Sequence, residues 1–211
     1  MKYVVIAVLI VLSMADLRAQ TTQEIHEQLN TFIRQEKYKE ALPLVNQLME
    51  THPEYFLYRQ ERGTIYYNLK NYPAAVKDFL FLCDKYPENA EFFFQAGNMY
   101  ELMDSLKRVE LYYSRAIQLD RENYMYYFKR GTYYLKLNAY EKSVRDFTWA
   151  LEQYPEHDNS FHNRGIAYYK LGQEEKACED WCQALLLGNN FSARHLDRNC
   201  KKYPEPCLLQ K

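Results

Sequence analysis

The chain has 211 residues, of which 47% are hydrophobic and 26% charged, and this composition is typical of a soluble globular protein and excludes intrinsic disorder. Its 27 basic and 28 acidic side chains give a formal net charge of −1, so the chain lacks the strong positive field that holds nucleic acid. The length allows one folded domain or two.

The N-terminal segment, residues 1–19, has the layout of a signal peptide. Lys2 is followed by a twelve-residue apolar run from Tyr3 to Met14, and Ala19 offers a small residue at a cleavage point. The alternative is a membrane anchor that is retained, although a span needs roughly 20 apolar residues. We therefore expect this segment to be removed. The protein is then exported to the periplasm, or is secreted or associated with an outer membrane.

A sequence repeat of fixed period follows the N-terminal segment. Four glycines are evenly spaced along it, each thirty-four positions after the last, at Gly63, Gly97, Gly131 and Gly165. A tyrosine stands three residues after each glycine, at Tyr66, Tyr100, Tyr134 and Tyr168. A large aromatic residue stands sixteen after it, at Phe79, Tyr113, Phe147 and Trp181. Residues 22–55 fit the same frame without the glycine. A fixed period of this length indicates stacked supersecondary units.

This pattern resembles the tetratricopeptide repeat family over residues 22–190. The resemblance implies an all-α, right-handed α-solenoid of five helix-turn-helix repeats. Their predicted ranges are 22–55, 56–89, 90–123, 124–157 and 158–190. Residues 191–211 are predicted to hold a C-terminal capping helix and a tail rich in cysteine and proline, because the last repeat exposes an apolar face. The glycine lets two helices approach, and the aromatic ring fills the space beside it.

Arginine and aspartate occur together inside the repeats. In three of them an arginine precedes the glycine and an aspartate follows sixteen residues later: Arg62 with Asp78, Arg130 with Asp146, and Arg164 with Asp180. Repeats 1 and 3 lack both partners. We predict a charge-assisted pair between the two helices of repeats 2, 4 and 5, which orients them more than it stabilises them. The alternative is two independently solvated charges.

Four of the five cysteines lie at the C-terminal end, at Cys178, Cys182, Cys200 and Cys207. Export places them in an oxidising compartment, so disulfides are the first interpretation. We favour Cys178 with Cys200 and Cys182 with Cys207, although spacing alone leaves all three pairings open. The stretch Ala177–Trp181 with a later cysteine resembles the ending of exported bacterial members of the family, which supports the first bridge. A zinc site from the four thiols with His195, or free thiols, are the alternatives. Cys83 is expected to be a buried, inert thiol.

The sequence gives little support for catalysis. The five histidines show no metal-ligand spacing, and no nucleophile elbow, P-loop or dinucleotide-binding glycine motif occurs. We therefore predict a protein that is not an enzyme and has no cofactor and no metal.

The resemblance also implies a binding groove lined by the first helix of each repeat. Carried over to this sequence, the groove positions are Leu57, Gln60, Thr64, Tyr67, Phe94, Asn98, Met125, Phe128, Thr132, His162 and Tyr169. Aromatic anchors beside small polar groups suit an extended peptide or a partner helix. The competing interpretation is that Phe94 and Phe128 pack against neighbouring helices.

We accordingly predict a non-catalytic protein-interaction scaffold or adaptor of the bacterial cell envelope, with a protein or peptide partner. Neither nucleic acid nor stable membrane insertion after signal cleavage is expected. The alternatives are a homo-oligomeric structural protein and a module that binds peptide or glycan ligands.

Overall fold

The computed structural model describes residues 21–202, which form eleven α-helices and no strand. The first, α1, covers residues 21–34. The others are α2 Tyr38–Thr51, α3 Phe56–Asn68, α4 Tyr72–Lys85, α5 Ala90–Leu102, α6 Leu106–Leu119, α7 Tyr124–Lys136, α8 Tyr140–Gln153, α9 Asp158–Lys170, α10 Glu174–Leu186 and α11 Phe191–Asn199. None of these helices combines the length and the apolar character that crossing a membrane requires. The predicted signal peptide lies outside the described residues.

The helices fall into two compact units, one ending at Pro87 and one beginning at Glu88. The first unit holds α1 to α4, two predicted repeats of two helices each. The second holds α5 to α10, three predicted repeats, and α11 as an additional C-terminal helix. Within each unit, helices that follow one another in the chain pack together, and Leu29 of α1 shares a buried cluster with Ala41 and Val45 of α2. The predicted fold class, all-α helix-turn-helix repeats followed by a C-terminal helix, is confirmed.

A glycine–aromatic contact joins the two helices of each repeat from the second to the fifth. A Cβ on Gly97 would lie 2.6 Å from the ring of Tyr113, and one on Gly165 would lie 2.7 Å from Trp181. Gly63 meets Phe79 and Gly131 meets Phe147 in the same way. All four rings are buried. The absence of a Cβ lets each ring occupy the space beside the opposing helix, which explains the spacing seen in the sequence.

The turn between the two helices has one conformation in all five repeats. Its left-handed residue recurs at the interval of the repeat, at Glu36, Lys70, Asp104, Asn138 and Gly172, with φ between 52° and 74°. In repeat 2 the N–H of Asn71 donates to the carbonyl of Tyr66 at 2.8 Å, and that of Lys70 donates to Tyr67 at 2.9 Å. These two bonds form a Schellman motif, which satisfies carbonyls at the end of the first helix. The sequence analysis missed this position because only the last repeat has glycine there.

The C-terminal helix α11 is joined to α10 by a disulfide. The structure contains a Cys178–Cys200 bond between cysteines separated by 22 positions in the chain. Both cysteines belong to a buried cluster with Ala177 and Trp181, against which Leu196 of α11 packs. Cys182 is disulfide-bonded as well, whereas its predicted partner Cys207 lies outside the described residues.

Cys83 on α4 is a buried thiol. Burial raises its pKa to about 12, so the thiolate is not populated at neutral pH. This environment is that of an unreactive core cysteine, as the sequence analysis expected.

The closest glycine–aromatic contact gives a stability prediction. Replacing Gly97→Ala drives a Cβ into the ring of Tyr113, which is fully buried and whose hydroxyl donates to Glu101 and lies 2.8 Å from Oδ1 of Asn98. Overpacking of this kind costs about 1–3 kcal/mol, which exceeds the ~1 kcal/mol that alanine gains over glycine in a helix. We expect a lower free energy of unfolding in urea denaturation.

Gly131→Ala is the matched comparison, because its Cβ would lie 3.0 Å from the Phe147 ring and should cost less. An unchanged or increased free energy of unfolding for Gly97→Ala would show that helix propensity outweighs the close contact.

Candidate functional site

The three arginine–aspartate pairs have the same geometry. Arg130 donates from Nε to Oδ2 of Asp146 and from Nη2 to Oδ1, each at 2.8 Å. Arg164 and Asp180 repeat both bonds at 2.8 Å. Arg62 and Asp78 form them at 2.8 and 2.6 Å, with a further bond to Asp78 from Arg59. Each pair links the first helix of a repeat to the second through a two-pronged contact.

Each of these arginines also contacts the preceding repeat. Nη1 of Arg62 donates to Asn46 at 3.0 Å, Nη1 of Arg130 to Ser114 at 2.9 Å, and Nη1 of Arg164 to Thr148 at 3.1 Å. The acceptor lies sixteen residues before the arginine, so one guanidinium joins three helices. The sequence analysis missed these acceptors, although a small polar residue at that spacing was the available signal.

Burial limits the stability that these pairs contribute. The pKa of Asp146 is raised because the carboxyl is buried, and the bonds from Arg130 offset this only in part. Burial raises the pKa of Asp180 in the same way, against the effect of Arg164. Removing water from both charges therefore costs much of what their attraction contributes, and the pairs act mainly to fix helix orientation.

In the first unit, the predicted groove residues lie along α3. Leu57 and Tyr67 are 49% and 43% exposed, and their side chains offer apolar surface to solvent. Thr64 is exposed and its hydroxyl donates to the carbonyl of Gln60, which is half-buried.

In the second unit, the predicted anchor Phe94 on α5 is not available to a ligand, and its assignment as an exposed groove residue is wrong. The side chain is 7% exposed, because the ring of Tyr126 from α7 packs over it at 4.8 Å and Tyr113 lies at 5.7 Å on another side. The Tyr126 hydroxyl donates to Glu91 on α5, which holds that ring in place. The packed alternative therefore describes Phe94.

The polar groups of α5 are already engaged within the chain. Oδ1 of Asn98 lies 2.8 Å from the Tyr113 hydroxyl, and the Asn98 amide donates to Gln95 at 3.3 Å. Glu101 accepts from the same hydroxyl and pairs with Lys136 of α7. This network leaves α5 with few free donors or acceptors for a partner.

The predicted residues on α7 and α9 are better placed for contact, and we call them the α7–α9 face. Its members are Met125, Phe128, Thr132, His162 and Tyr169. Tyr169 is 38% exposed and the other four are partly exposed. The rings of Phe128 and of His157, the residue before α9, are in edge-to-face contact with centroids 4.7 Å apart. The Thr132 hydroxyl donates to the Phe128 carbonyl and keeps its oxygen free to accept.

Three histidines of the second unit have lowered pKa values. Burial is the main cause at His157, and Asp158 opposes it. Burial also lowers the pKa of His162, with His195 adding to the effect and Asp158 again opposing it. All three imidazoles, including His195, are therefore neutral at pH 7. Among residues 21–202, no group of three or more His, Cys, Asp or Glu side chains is arranged to hold a metal ion.

Antiparallel helix pairs that recur at a fixed interval along the chain define a helical-repeat protein, a class that generally serves as a scaffold for other proteins. A family model of the tetratricopeptide repeat matches residues 26–90 and 128–193, and the chain belongs to this family. Its members are generally non-catalytic interaction scaffolds, and no enzyme family is evident. No curated protein matches the sequence.

Solved structures share the fold at low sequence identity. MamA from Desulfovibrio magneticus RS-1 is 16% identical with a TM-score of 0.72, over 79% of this chain and 94% of that one. YrrB, described as a TPR protein with an unusual peptide-binding site, is 21% identical with a TM-score of 0.67, over 81% and 88%. The TPR domain of Arabidopsis OM64 is 24% identical with a TM-score of 0.51, over 54% and 95%.

The buried pair on α7 and α8 gives a second stability prediction. Asp146→Ala leaves the largely buried guanidinium of Arg130 without its carboxylate and should cost about 3 kcal/mol in the free energy of unfolding. The double variant Arg130→Ala, Asp146→Ala should cost less, because no charge is left uncompensated. Urea denaturation of all four chains of the cycle measures the coupling energy.

The exposed pair Lys142–Glu110 is the matched control, since its side chains are 48% and 44% exposed. Its coupling energy should stay below about 1 kcal/mol. A coupling energy for Arg130 and Asp146 no larger than that of the control would contradict an orienting pair.

Proposed function

We propose that this chain is a non-catalytic scaffold that binds an extended peptide or a partner helix on the α7–α9 face. The observation that carries the proposal is the partial exposure of Met125 and Phe128 on α7 and of Tyr169 on α9, together with the Thr132 hydroxyl. Aromatic and methionine side chains flanked by small polar groups are the residues that anchor protein partners.

The packing of α5 favours this part of the chain over the wider groove implied by the repeat pattern. Phe94 is covered by Tyr126, and Asn98 and Glu101 are bonded to Tyr113. A partner would have to break those contacts to bind α5, whereas the side chains of α7 and α9 are accessible without rearrangement. Membership of a family of interaction scaffolds and the peptide-binding site described for YrrB support the same function.

Binding to the α7–α9 face can be tested with peptides selected from a displayed random library on the full chain. Tyr169→Ala and Met125→Ala should each weaken the best peptide at least about fivefold, because central anchors of this kind contribute about 1 kcal/mol or more. Fluorescence anisotropy with the labelled synthetic peptide gives the dissociation constants.

Trp149→Ala is the matched control, because Trp149 is an aromatic residue of similar exposure, 50%, on α8, a second helix of its repeat. Its dissociation constant should stay within about twofold of the parent. If Trp149→Ala loses binding and Tyr169→Ala keeps it, the peptide does not bind to the α7–α9 face. A library that yields no peptide against the folded parent would count against peptide binding itself.

We further propose that the protein is exported and acts in the cell envelope. The apolar run from Tyr3 to Met14 followed by Ala19 supports export, and the Cys178–Cys200 disulfide suits an oxidising compartment.

Expression of the full chain in a bacterial host with periplasmic fractionation tests this second proposal. The chain recovered from the periplasm should begin near Gln20, as N-terminal sequencing would show, because the signal peptidase removes residues 1–19. A chain that keeps Met1 and remains in the cytoplasm would contradict export.

A further inference from the structure

A cavity lies at the C-terminal end of the second unit, between α9 and α11. It has a volume of about 260 Å³ and is lined by His162, Asn190, Phe191, Arg194 and His195. This volume accommodates one small organic group and is below the usual range for drug-sized ligands. Of its lining residues only His162 belongs to the α7–α9 face.

One side of the cavity is an ordered aromatic layer. The His195 ring stacks on Trp181 with centroids 4.5 Å apart and an interplanar angle of 21°. His162 meets His195 edge to face at 5.4 Å. The Trp181 indole in turn donates to the backbone carbonyl of His162 at 3.2 Å. These contacts fix both imidazole rings before any ligand enters, which lowers the entropic cost of binding.

The bond between His162 and Ser192 determines what the imidazole offers. Nδ1 of His162 lies 2.8 Å from Oγ of Ser192, which is fully buried. A serine hydroxyl that donates to Nδ1 leaves the proton of the neutral ring on Nε2. We assign this tautomer, because it gives the buried hydroxyl an acceptor. Nε2 of His162 is then a hydrogen-bond donor.

The charge around the cavity is positive. Arg194 is exposed, and within residues 21–202 no carboxylate forms an ion pair with it. Arg198, one turn further along α11, adds to the same field, since both arginines act with burial to lower the pKa of His195. Asp158 acts in the opposite direction, since its negative charge raises the pKa of His162.

The lining also has an apolar component. Phe191 is 81% exposed at the start of α11 and places an aromatic ring against the cavity without a partner ring among the described residues. Ring surface of this kind is stabilised when an apolar or aromatic group covers it.

From this combination we propose that the cavity binds a small monocarboxylate with an apolar or aromatic body. The carboxylate pairs with the guanidinium of Arg194 and accepts from imidazole N–H, and the body packs on Phe191. One guanidinium beside neutral imidazoles matches a single negative charge better than a phosphate dianion. The carboxylate can belong to a free acid or to the last residue of a polypeptide, since the two present the same group.

Isothermal titration calorimetry of the full chain at pH 7 tests the charge requirement. The probe is 3-phenylpropionate and its uncharged counterpart is 3-phenylpropanol. We expect heat of binding for the acid and none for the alcohol. Arg194→Gln should weaken the acid at least about tenfold, because a charge-assisted hydrogen bond is lost. The matched control Arg198→Gln, on the same helix and outside the lining, should stay within about twofold.

A second pair of variants tests whether the apolar body of the ligand packs on Phe191. Phe191→Ala should weaken 3-phenylpropionate while leaving the fold intact, since this side chain is mostly in solvent. Leu187→Ala, another exposed apolar residue close in sequence, should not. In the NMR spectrum the ring signals of His162 and His195 should shift on addition of the acid, which places the ligand in this cavity.

The two sources of the carboxylate are separated with a short peptide ending in phenylalanine. Binding of 3-phenylpropionate without binding of the peptide assigns the cavity to a free acid. Binding of the peptide with a free C-terminus, and loss of binding when that end is amidated, assigns it to a polypeptide terminus. The proposal is overturned if the acid gives no heat, if the alcohol binds equally well, or if Arg194→Gln and Arg198→Gln have the same effect.

Discussion

The contact on which the rest of the structure depends is the approach of a ring to a glycine inside each repeat from the second to the fifth. Where Gly97 faces Tyr113, or Gly165 faces Trp181, the ring occupies the position that a side chain would otherwise take. The two helices can then pack closely along their length. The first helix uses one side for this contact, and its opposite side is available for other contacts. Because the same contact returns in each repeat of the second unit, the first helices of these repeats present their equivalent positions in a regular order. The partly exposed residues on α7 and α9 follow from this regularity.

The arginine fork adds a second level of order. Each arginine bonds an aspartate of its own repeat and a small polar residue of the preceding repeat, as Arg130 does with Asp146 and Ser114. These bonds fix the position of the guanidinium. Close packing alone leaves helices free to slide along one another, since apolar contact has little direction. Directional bonds remove that freedom. The raised pKa of Asp146 reflects the cost of burying its charge, so the main effect of the pair is on the arrangement of the helices.

Much of the fold could be read from the sequence, because small, aromatic and charged residues each recur at one position of the period. Positions with varied chemistry were missed. The left-handed turn residue is Glu36, Lys70, Asp104 or Asn138 in the first four repeats. The position constrains the backbone conformation, and many side chains can occupy it when a Schellman motif stabilises the turn.

The groove was only partly predictable for a different reason. Phe94 and Phe128 occupy equivalent positions, yet Phe94 is buried because the neighbouring repeat supplies Tyr126. Exposure depends on what the next repeat carries, and the family pattern does not specify this.

The disulfide between α10 and α11 makes the two ends of the second unit unequal. Repeat arrays lose structure from their termini inward, because a terminal helix has a neighbour on one side only. Here the terminal helix cannot diffuse away, since Cys200 keeps it within one short covalent loop of Cys178, and an opened α11 is returned to its site at high effective concentration. Fraying of α11 is therefore suppressed, and the cavity and the histidines beside this helix are held together with it. In a reducing environment that tether is lost, so the redox state of the compartment decides how firmly α11 is held.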